Sequence, residues 1–303
     1  MKKLLPNDIN EAVGFTIDQE ISNEIIELQL KYEVLSVTDY YDYLMEYGAV
    51  LKSQLSIAGE KRAQDWEIGW EENYAKFARE GSFDSIIPMY HKKYNFAKLG
   101  NKIVRTFHPL FDYYLNSFVV DAIILHYARQ YRIYIEFGCG PGYHLFRLNE
   151  RLPDSEFRGA DWSKSSQKLI KNYCAKNCLK NVKGFNFNYF SPKYRGDLTE
   201  ACIFTVASLE QLGEKFKPFV NFLLRKKPKI CINMEPISEV FDTSLIQDYY
   251  TKKYFEKRGY LSGYLTYLKK LEEDKLIKIH EIKRLFLGSK YVEGHTLIVW
   301  EVI

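Results

Sequence analysis

Apolar residues change their spacing partway along the chain. Up to about residue 130 they recur three and four apart, and beyond it they gather into short runs separated by turn residues. The early stripes are Ile21, Ile25 and Leu28, then Tyr40, Tyr41, Leu44 and Met45, then Trp66, Trp70, Tyr74 and Phe77, and last Phe118, Val119, Ala122 and Ile123. Residues 16–130 lack strand alternation, so they predict several helices before the first strand. Trp66 and Trp70 lie four apart and share one helical face, which either packs on a sheet or lines a pocket. The later runs at 133–135, 155–160, 182–187, 201–206 and 230–234 predict strands, and 164–171 predicts a helix opening at Ser163. Two further stretches, 279–286 and 297–302, carry the β-branched and aromatic content of closing strands. Residues 237–275 read as mostly helical and hold Tyr249, Tyr250, Tyr254, Tyr260, Tyr264 and Tyr267. The pattern predicts an α/β chain: a helical N-terminal cap or lid over 1–110, then an α/β unit over 111–303 with a helical insertion at about 237–275.

The first strand adds chemistry to this outline. It ends in Glu136 and opens into Gly138-Cys139-Gly140-Pro141-Gly142, where glycines let the backbone bend sharply and approach a ligand. A dinucleotide fingerprint wants G-x-G-x-x-G, and Tyr143 stands where its third glycine belongs. The second strand ends in Asp161-Trp162, about twenty residues past the loop, where a nucleotide-binding βαβ unit places its ribose-binding acid. A carboxylate there accepts from both ribose hydroxyls, and Trp162 offers a flat face for adenine. The alternative for Asp161 is a helix N-cap, a role Ser163 fills better.

An acid on the strand followed by G-x-G-x-G resembles motif I of class I S-adenosylmethionine (SAM) methyltransferases. The resemblance runs over roughly 115–303 and implies a Rossmann-like seven-stranded sheet whose last two strands are antiparallel. It implies SAM as cofactor and S-adenosylhomocysteine (SAH) as product, held by Glu136, Gly138, Cys139, Gly140, Gly142, Asp161 and Trp162. Asn188 or Asn186, at the end of the third strand, would meet the adenine edge. Leu209-Glu210-Gln211 resembles the Leu-Glu-His segment after strand four in many small-molecule enzymes of the family, with Gln211 replacing the histidine. Lys226-Lys227-Pro228-Lys229 stands where a Pro-Gly-Gly turn is usual.

Methyl transfer needs alignment above all, plus a base if the acceptor is a hydroxyl. Glu235, at a strand end before Pro236, is the first candidate base, His295 the second and Glu210 the third; a turn role for His295 in Glu293-Gly294-His295 remains open. No Asp/Asp-Asn cluster of the magnesium-dependent catechol type is present, so no metal is expected. The Asn/Asp-Pro-Pro-Tyr motif of amino-methylating DNA enzymes and a Pro-Cys nucleophile are both missing. A small polar acceptor remains: a sugar, a sugar phosphate or a specialised metabolite. The alternatives are a noncatalytic scaffold that keeps the cofactor loop, a protein or RNA methyltransferase, and a nicotinamide-dependent enzyme on a similar sheet.

Composition trims these options. There are 43 basic and 39 acidic side chains, a net charge of +4, too small for the one-sided field of a typical nucleic-acid binder. The basic cluster at 225–229 suits a helix C-terminus. Five cysteines show no C-x-x-C or framework spacing, and no apolar run is long enough to span a bilayer. A cytoplasmic, reduced protein without a membrane partner is therefore expected.

Overall fold

The structure, a computed structural model, describes residues 1–92, 95–293 and 295–303. The N-terminal region runs β1 (Lys2–Lys3), α1 (Pro6–Val13), α2 (Gln19–Leu28), β2 (Lys31–Val34), α3 (Val37–Lys52), α4 (Ala63–Glu80), β3 (Phe96–Leu99) and β4 (Lys102–Thr106). Then come α5 (Phe111–Ala128), β5 (Ile133–Phe137), α6 (Tyr143–Arg151), β6 (Glu156–Asp161), α7 (Lys164–Lys176) and β7 (Val182–Asn186). The chain closes with β8 (Ala201–Val206), α8 (Lys217–Lys226), β9 (Ile230–Glu235), α9 (Ile246–Arg258), α10 (Tyr264–Glu273), β10 (Ile277–Arg284), β11 (Leu287–Ser289) and β12 (Thr296–Val302).

The main sheet has seven strands in the order β10-β12-β9-β8-β5-β6-β7. β9, β8, β5, β6 and β7 are parallel, and β12 runs antiparallel to both β9 and β10. Its strands alternate between two cores, as a period of two requires. Tyr134, Phe157, Phe204, Ile232 and Val299 pack with α5, α6 and α7. Ile135, Phe137, Ile203, Cys231 and Trp300 pack with α8 and α10 on the other face. Burial on both faces explains why these strands read as near-continuous apolar runs. Arg225 and Lys226 lie in the last turn of α8, the place where cations favour the helix dipole.

The N-terminal cap is not purely helical, which corrects the expectation for 1–110. Its strands form a second, antiparallel sheet ordered β1-β2-β4-β3-β11. These strands are two to five residues long, too short for alternation to show. One of them, β3, buries Lys98, which hides its apolar face. The last member comes from the far end of the chain, with Gly288 opposite Lys98. The run predicted as a strand over 279–286 is β10 of the main sheet, which ends at Arg284; the chain then turns at Phe286 with φ +53°, and the unpredicted β11 joins the other sheet. The lid idea changes accordingly, since residues before 109 share a sheet with residues 287–289. α5 touches β3 and β11 on one side and β9 on the other. Contact on both sides is the reason it is apolar nearly all round.

A buried ionic cluster fixes α6 against the cap. Asp121 on α5 accepts from Arg147 Nε (3.2 Å) and Nη2 (2.8 Å) and from Arg151 Nε (2.8 Å). Glu24 on α2 accepts from both arginines as well. Sharing several charge-assisted bonds is what makes such burial tolerable. The helix that follows the glycine loop is therefore anchored to two others, α5 and α2.

Candidate cofactor site

β5 lies where the winding of the sheet reverses, with β6 on one side and β8 on the other. In open α/β sheets, ligands bind outside the strand C-termini at this point. The glycine loop fills it. Gly138 and Gly140 have φ of +73° and +51°, a region that side chains rarely tolerate. A Cβ on Gly138 would stand 2.4 Å from Ser208 Cβ, and one on Gly140 would stand 2.8 Å from the Trp70 ring. Both positions need glycine for conformation and for space. The cleft encloses about 750 Å³, open solvent included, and Glu136, Gly138, Cys139, Gly140, Asp161 and Trp162 line it.

Asp161 ends β6 and is nearly buried. Its Oδ2 accepts from Gly140 N–H at 3.0 Å and its Oδ1 from Ser163 N–H at 2.9 Å. Burial pushes its carboxyl up to about 6, although the two N–H groups pull the other way. Ser163 is the helix cap, its hydroxyl accepting from Ser166 N–H. Trp162 stands 6.1 Å from Phe190 with the rings 29° apart.

Gly142 caps α6 and does not line the cleft. Neither asparagine of the third strand lines it either: Asn188 Oδ1 accepts from Phe190 N–H at 2.8 Å, and Asn186 Nδ2 donates to the Trp162 carbonyl at 2.8 Å. They shape the wall, while Phe187, Tyr189 and Phe190 form it. Trp66, Trp70 and Tyr90 enter from the cap. Glu67 on the same helix as the tryptophans accepts from Lys164 and Ser165 N–H, which locks α4 onto the start of α7.

The candidate bases sit elsewhere. Glu235 is fully buried and accepts from Ser208 N–H (3.2 Å) and Leu209 N–H (3.1 Å). It points beneath the loop after β8 because unpaired N–H groups at that turn need an acceptor, and it does not line the cleft. Glu210 accepts from Gln211 Nε2 at 2.8 Å; Gln211 reaches the cleft and Glu210 does not. His295 lines a separate small cavity with Asp112 and Asn116, and its carbonyl accepts from Leu285 N–H. Gly294, within that turn, lies outside the described residues.

Burial pushes Glu235 from an ordinary 4.5 up to about 8 and Glu210 up to about 7. The folded chain thus holds these protons more tightly than the unfolded chain. The stability they contribute is full below the unfolded value and is lost as pH rises through the folded one. The melting temperature of the ligand-free protein is therefore expected to fall between about pH 5 and 8 and then level off, with a shallower fall for Glu235→Gln. An equal slope in the variant would mean that Glu235 keeps an ordinary affinity for its proton.

Three residues that the sequence left unmarked, His91, Asp112 and His144, stand in or behind the cleft wall with Tyr143. His91 Nδ1 lies 2.6 Å from Asp112 Oδ2, and its Nε2 lies 3.1 Å from the hydroxyl of Tyr143, a residue of the cleft wall. His144 Nδ1 lies 2.7 Å from Glu136 Oε1. Only the placement of Tyr143 and His144 directly after the glycine loop could have drawn attention to them. Among the described residues no group of three His, Cys, Asp or Glu side chains is arranged to hold a metal ion, and no helix is long and apolar enough to cross a membrane.

A glycine loop at the switch point, an acid at the next strand end and an antiparallel seventh strand inserted beside the fifth define one architecture. It is the Rossmann-like fold of class I SAM-dependent methyltransferases. No family model and no curated protein matches the chain. Solved structures resemble it: a SAM-dependent methyltransferase from Aquifex aeolicus has 16% identity over 59% of this chain and 88% of that one, with a TM-score of 0.42. The methyltransferase domain of bacterial CtHen1-C has 18% identity over 61% and 96%, TM-score 0.44. Magnesium protoporphyrin IX methyltransferase from Synechocystis PCC 6803 with bound SAM has 10% identity over 63% and 82%, TM-score 0.46. At these scores the fold assignment rests on the strand order of the chain itself.

Proposed function

We propose that the chain is a SAM-dependent methyltransferase that O-methylates a small polar acceptor, such as a sugar, a sugar phosphate or a specialised metabolite, without a metal. The observation that carries this is the pair of left-handed glycines at the switch point, faced by Asp161 at the end of the neighbouring strand. When bound, SAM supplies an electrophilic methyl group on a sulfonium. Asp161 accepts from the ribose hydroxyls, and the Trp162 and Phe190 rings provide flat faces for adenine. Trp66, Trp70 and Tyr90 close over the acceptor, which excludes water and fixes its approach. Such alignment supplies ~7–11 kcal/mol.

Proton removal passes to Tyr143 and His91, in place of Glu235, His295 and Glu210. With Asp112 taking Nδ1–H, the second nitrogen of His91 is free to accept the Tyr143 proton. A hydroxyl acceptor bonded to Tyr143 can then give up its proton as Tyr143 passes its own to His91. A positioned base of this kind contributes roughly 10²–10⁴-fold. Five unpaired cysteines, four of them buried, suit a reducing cytoplasm.

Calorimetric titration with SAM, SAH and NAD tests the reading. SAM and SAH are expected to bind at one site and NAD not at all. NAD binding without SAH would move the chain to nicotinamide chemistry. SAH binding without methyl transfer to any compound in a broad panel of hydroxyl acceptors would favour the scaffold reading.

A further inference from the structure

Trp66 on α4 and Gln211 in the turn after β8 both line the cleft, and each holds a buried polar atom without a partner: Trp66 Nε1 and Gln211 Oε1. Arg62 links the two residues. Its guanidinium lies over the Trp66 ring, 5.3 Å from the centroid. Burial raises the Glu210 carboxyl, and the charge of Arg62 reaches it and pulls the other way. Glu210 in turn accepts from Gln211 Nε2 at 2.8 Å, which fixes the amide and leaves Oε1 as its outer atom. The two unpaired atoms therefore belong to one corner of the cleft. Leaving such atoms unpaired is costly, so native structures rarely do it without a ligand, water or ion to satisfy them.

The chemistry of the two atoms selects the group between them. An indole N–H only donates, and an amide oxygen only accepts. One group that answers both must accept and donate, and a hydroxyl does so with a single oxygen. A carboxylate or a phosphate dianion only accepts, and an ammonium only donates, so each would leave one of the two atoms unpaired. Charge points the same way. Glu136 and Asp161 stand in the wall, and among the described residues that line it there is no Lys or Arg. Arg62 is drawn to Asp65, whose Oδ2 accepts from its Nε at 3.2 Å. An acceptor carrying an anion would enter the cleft with no protein cation to pair it, which makes its burial costly.

The rest of the corner selects the shape. Trp66 and Trp70 are stacked with ring centroids 5.6 Å apart, and Tyr90 meets Trp70 edge-on at 6.5 Å. Aromatic walls with a few placed polar groups are the usual make-up of a small-molecule site, and they suit a ring with broad, uncharged faces. We infer that Trp66 Nε1–H and Gln211 Oε1 together hold one hydroxyl of an uncharged acceptor ring, phenolic or saccharide, that carries at least one more hydroxyl for methylation. This rests on the methyl-transfer reading above and narrows it, because sugar phosphates and other anionic acceptors are turned away. Trp66 and Gln211 thereby set specificity.

The test titrates the full chain, saturated with SAH, by calorimetry with four probes: resorcinol, methyl β-glucoside, 3,5-dihydroxybenzoate and glucose 6-phosphate. At least one of the two neutral probes is expected to bind, and which one does tells a phenol from a saccharide. Its anionic counterpart should bind at least about tenfold more weakly. Trp66→Phe keeps a ring and removes the N–H, while Gln211→Met keeps the length and removes the oxygen. Each is expected to weaken the neutral probe about two- to tenfold, the range for a neutral hydrogen bond, and to leave SAH affinity unchanged. The double variant should lose less than the product of the two single losses, because both bonds serve one hydroxyl. Should Trp66→Phe melt too low to titrate, the loss in Gln211→Met decides alone. Unchanged probe affinity in a folded single variant would overturn the inference and assign the two atoms to bound water. A fully multiplicative loss in the double variant, an anionic probe bound as tightly as its neutral counterpart, or binding of none of the four would overturn it as well. In each of those cases SAH still binds and the cofactor reading stands; a wild type that fails to bind SAH would remove both.

Discussion

Gly140→Val is expected to remove SAH binding from the calorimetric range, a loss beyond a hundredfold, and to lower the melting temperature by several degrees. Gly140 sits at φ +51°, where a β-branched residue is a genuine outlier. Strain of this kind costs ~1–3 kcal/mol. The new Cβ would also lie 2.8 Å from Trp70, so the ring that closes the cleft from the cap must move. Gly140 N–H, which holds Asp161 Oδ2 at 3.0 Å, would shift with it. One substitution thus disturbs the loop, Asp161 and the aromatic wall together. Wild-type affinity in a folded Gly140→Val protein would show that the loop does not touch the cofactor.

Asp161→Asn should weaken SAH about ten- to a hundredfold and remove a pH dependence that the wild type shows. Burial, reinforced by the nearby charges of Glu136 and Glu67, holds the free carboxyl at about 6, above its ordinary 3.8. Ribose hydroxyls that donate to it favour the ionised form, so binding must expel a proton below that value. Affinity is expected to rise with pH up to about 6, approaching tenfold per unit on the acid side, and then level off. The same shift works against the ligand-free fold: its contribution is full below 3.8 and lost as pH rises through 6. Cofactor donors would reverse that loss. Titrations at pH 5.0, 6.0 and 7.5 with proton-release measurements would check it. An identical slope in Asp161→Asn would assign the dependence to another group.

Tyr189 shows how site residues escaped the sequence reading. Its hydroxyl lies 3.0 Å from Ser208 Oγ, and Ser208 donates to the Phe137 carbonyl. Among 24 tyrosines nothing distinguishes this one until β7 and β8 bring their ends to the same cleft. Glu235 presents the opposite case. Its place at a strand end was legible, but the direction of its side chain was set by the unpaired N–H groups of Ser208 and Leu209. Asn186 and Asn188 were likewise placed correctly and drawn into local turns.

The seven-strand α/β outline, the glycine loop after β5 and Asp161 at the end of β6 were determined by sequence alone. Each is a local property: apolar runs with a fixed period, glycines where only glycine fits, and an acid at a set distance down one βαβ unit. The second sheet, the placement of His91 behind Tyr143 and of His144 in the cleft wall, and the inward turn of Glu235 were decided by the tertiary structure. β3 meets β11 across most of the chain, with Ser289 opposite Ala97. His91 joins Asp112 and Tyr143 from three separate elements. Pairings between distant segments leave no period in any short window, because the partner that satisfies each group is absent from that window until the chain has folded.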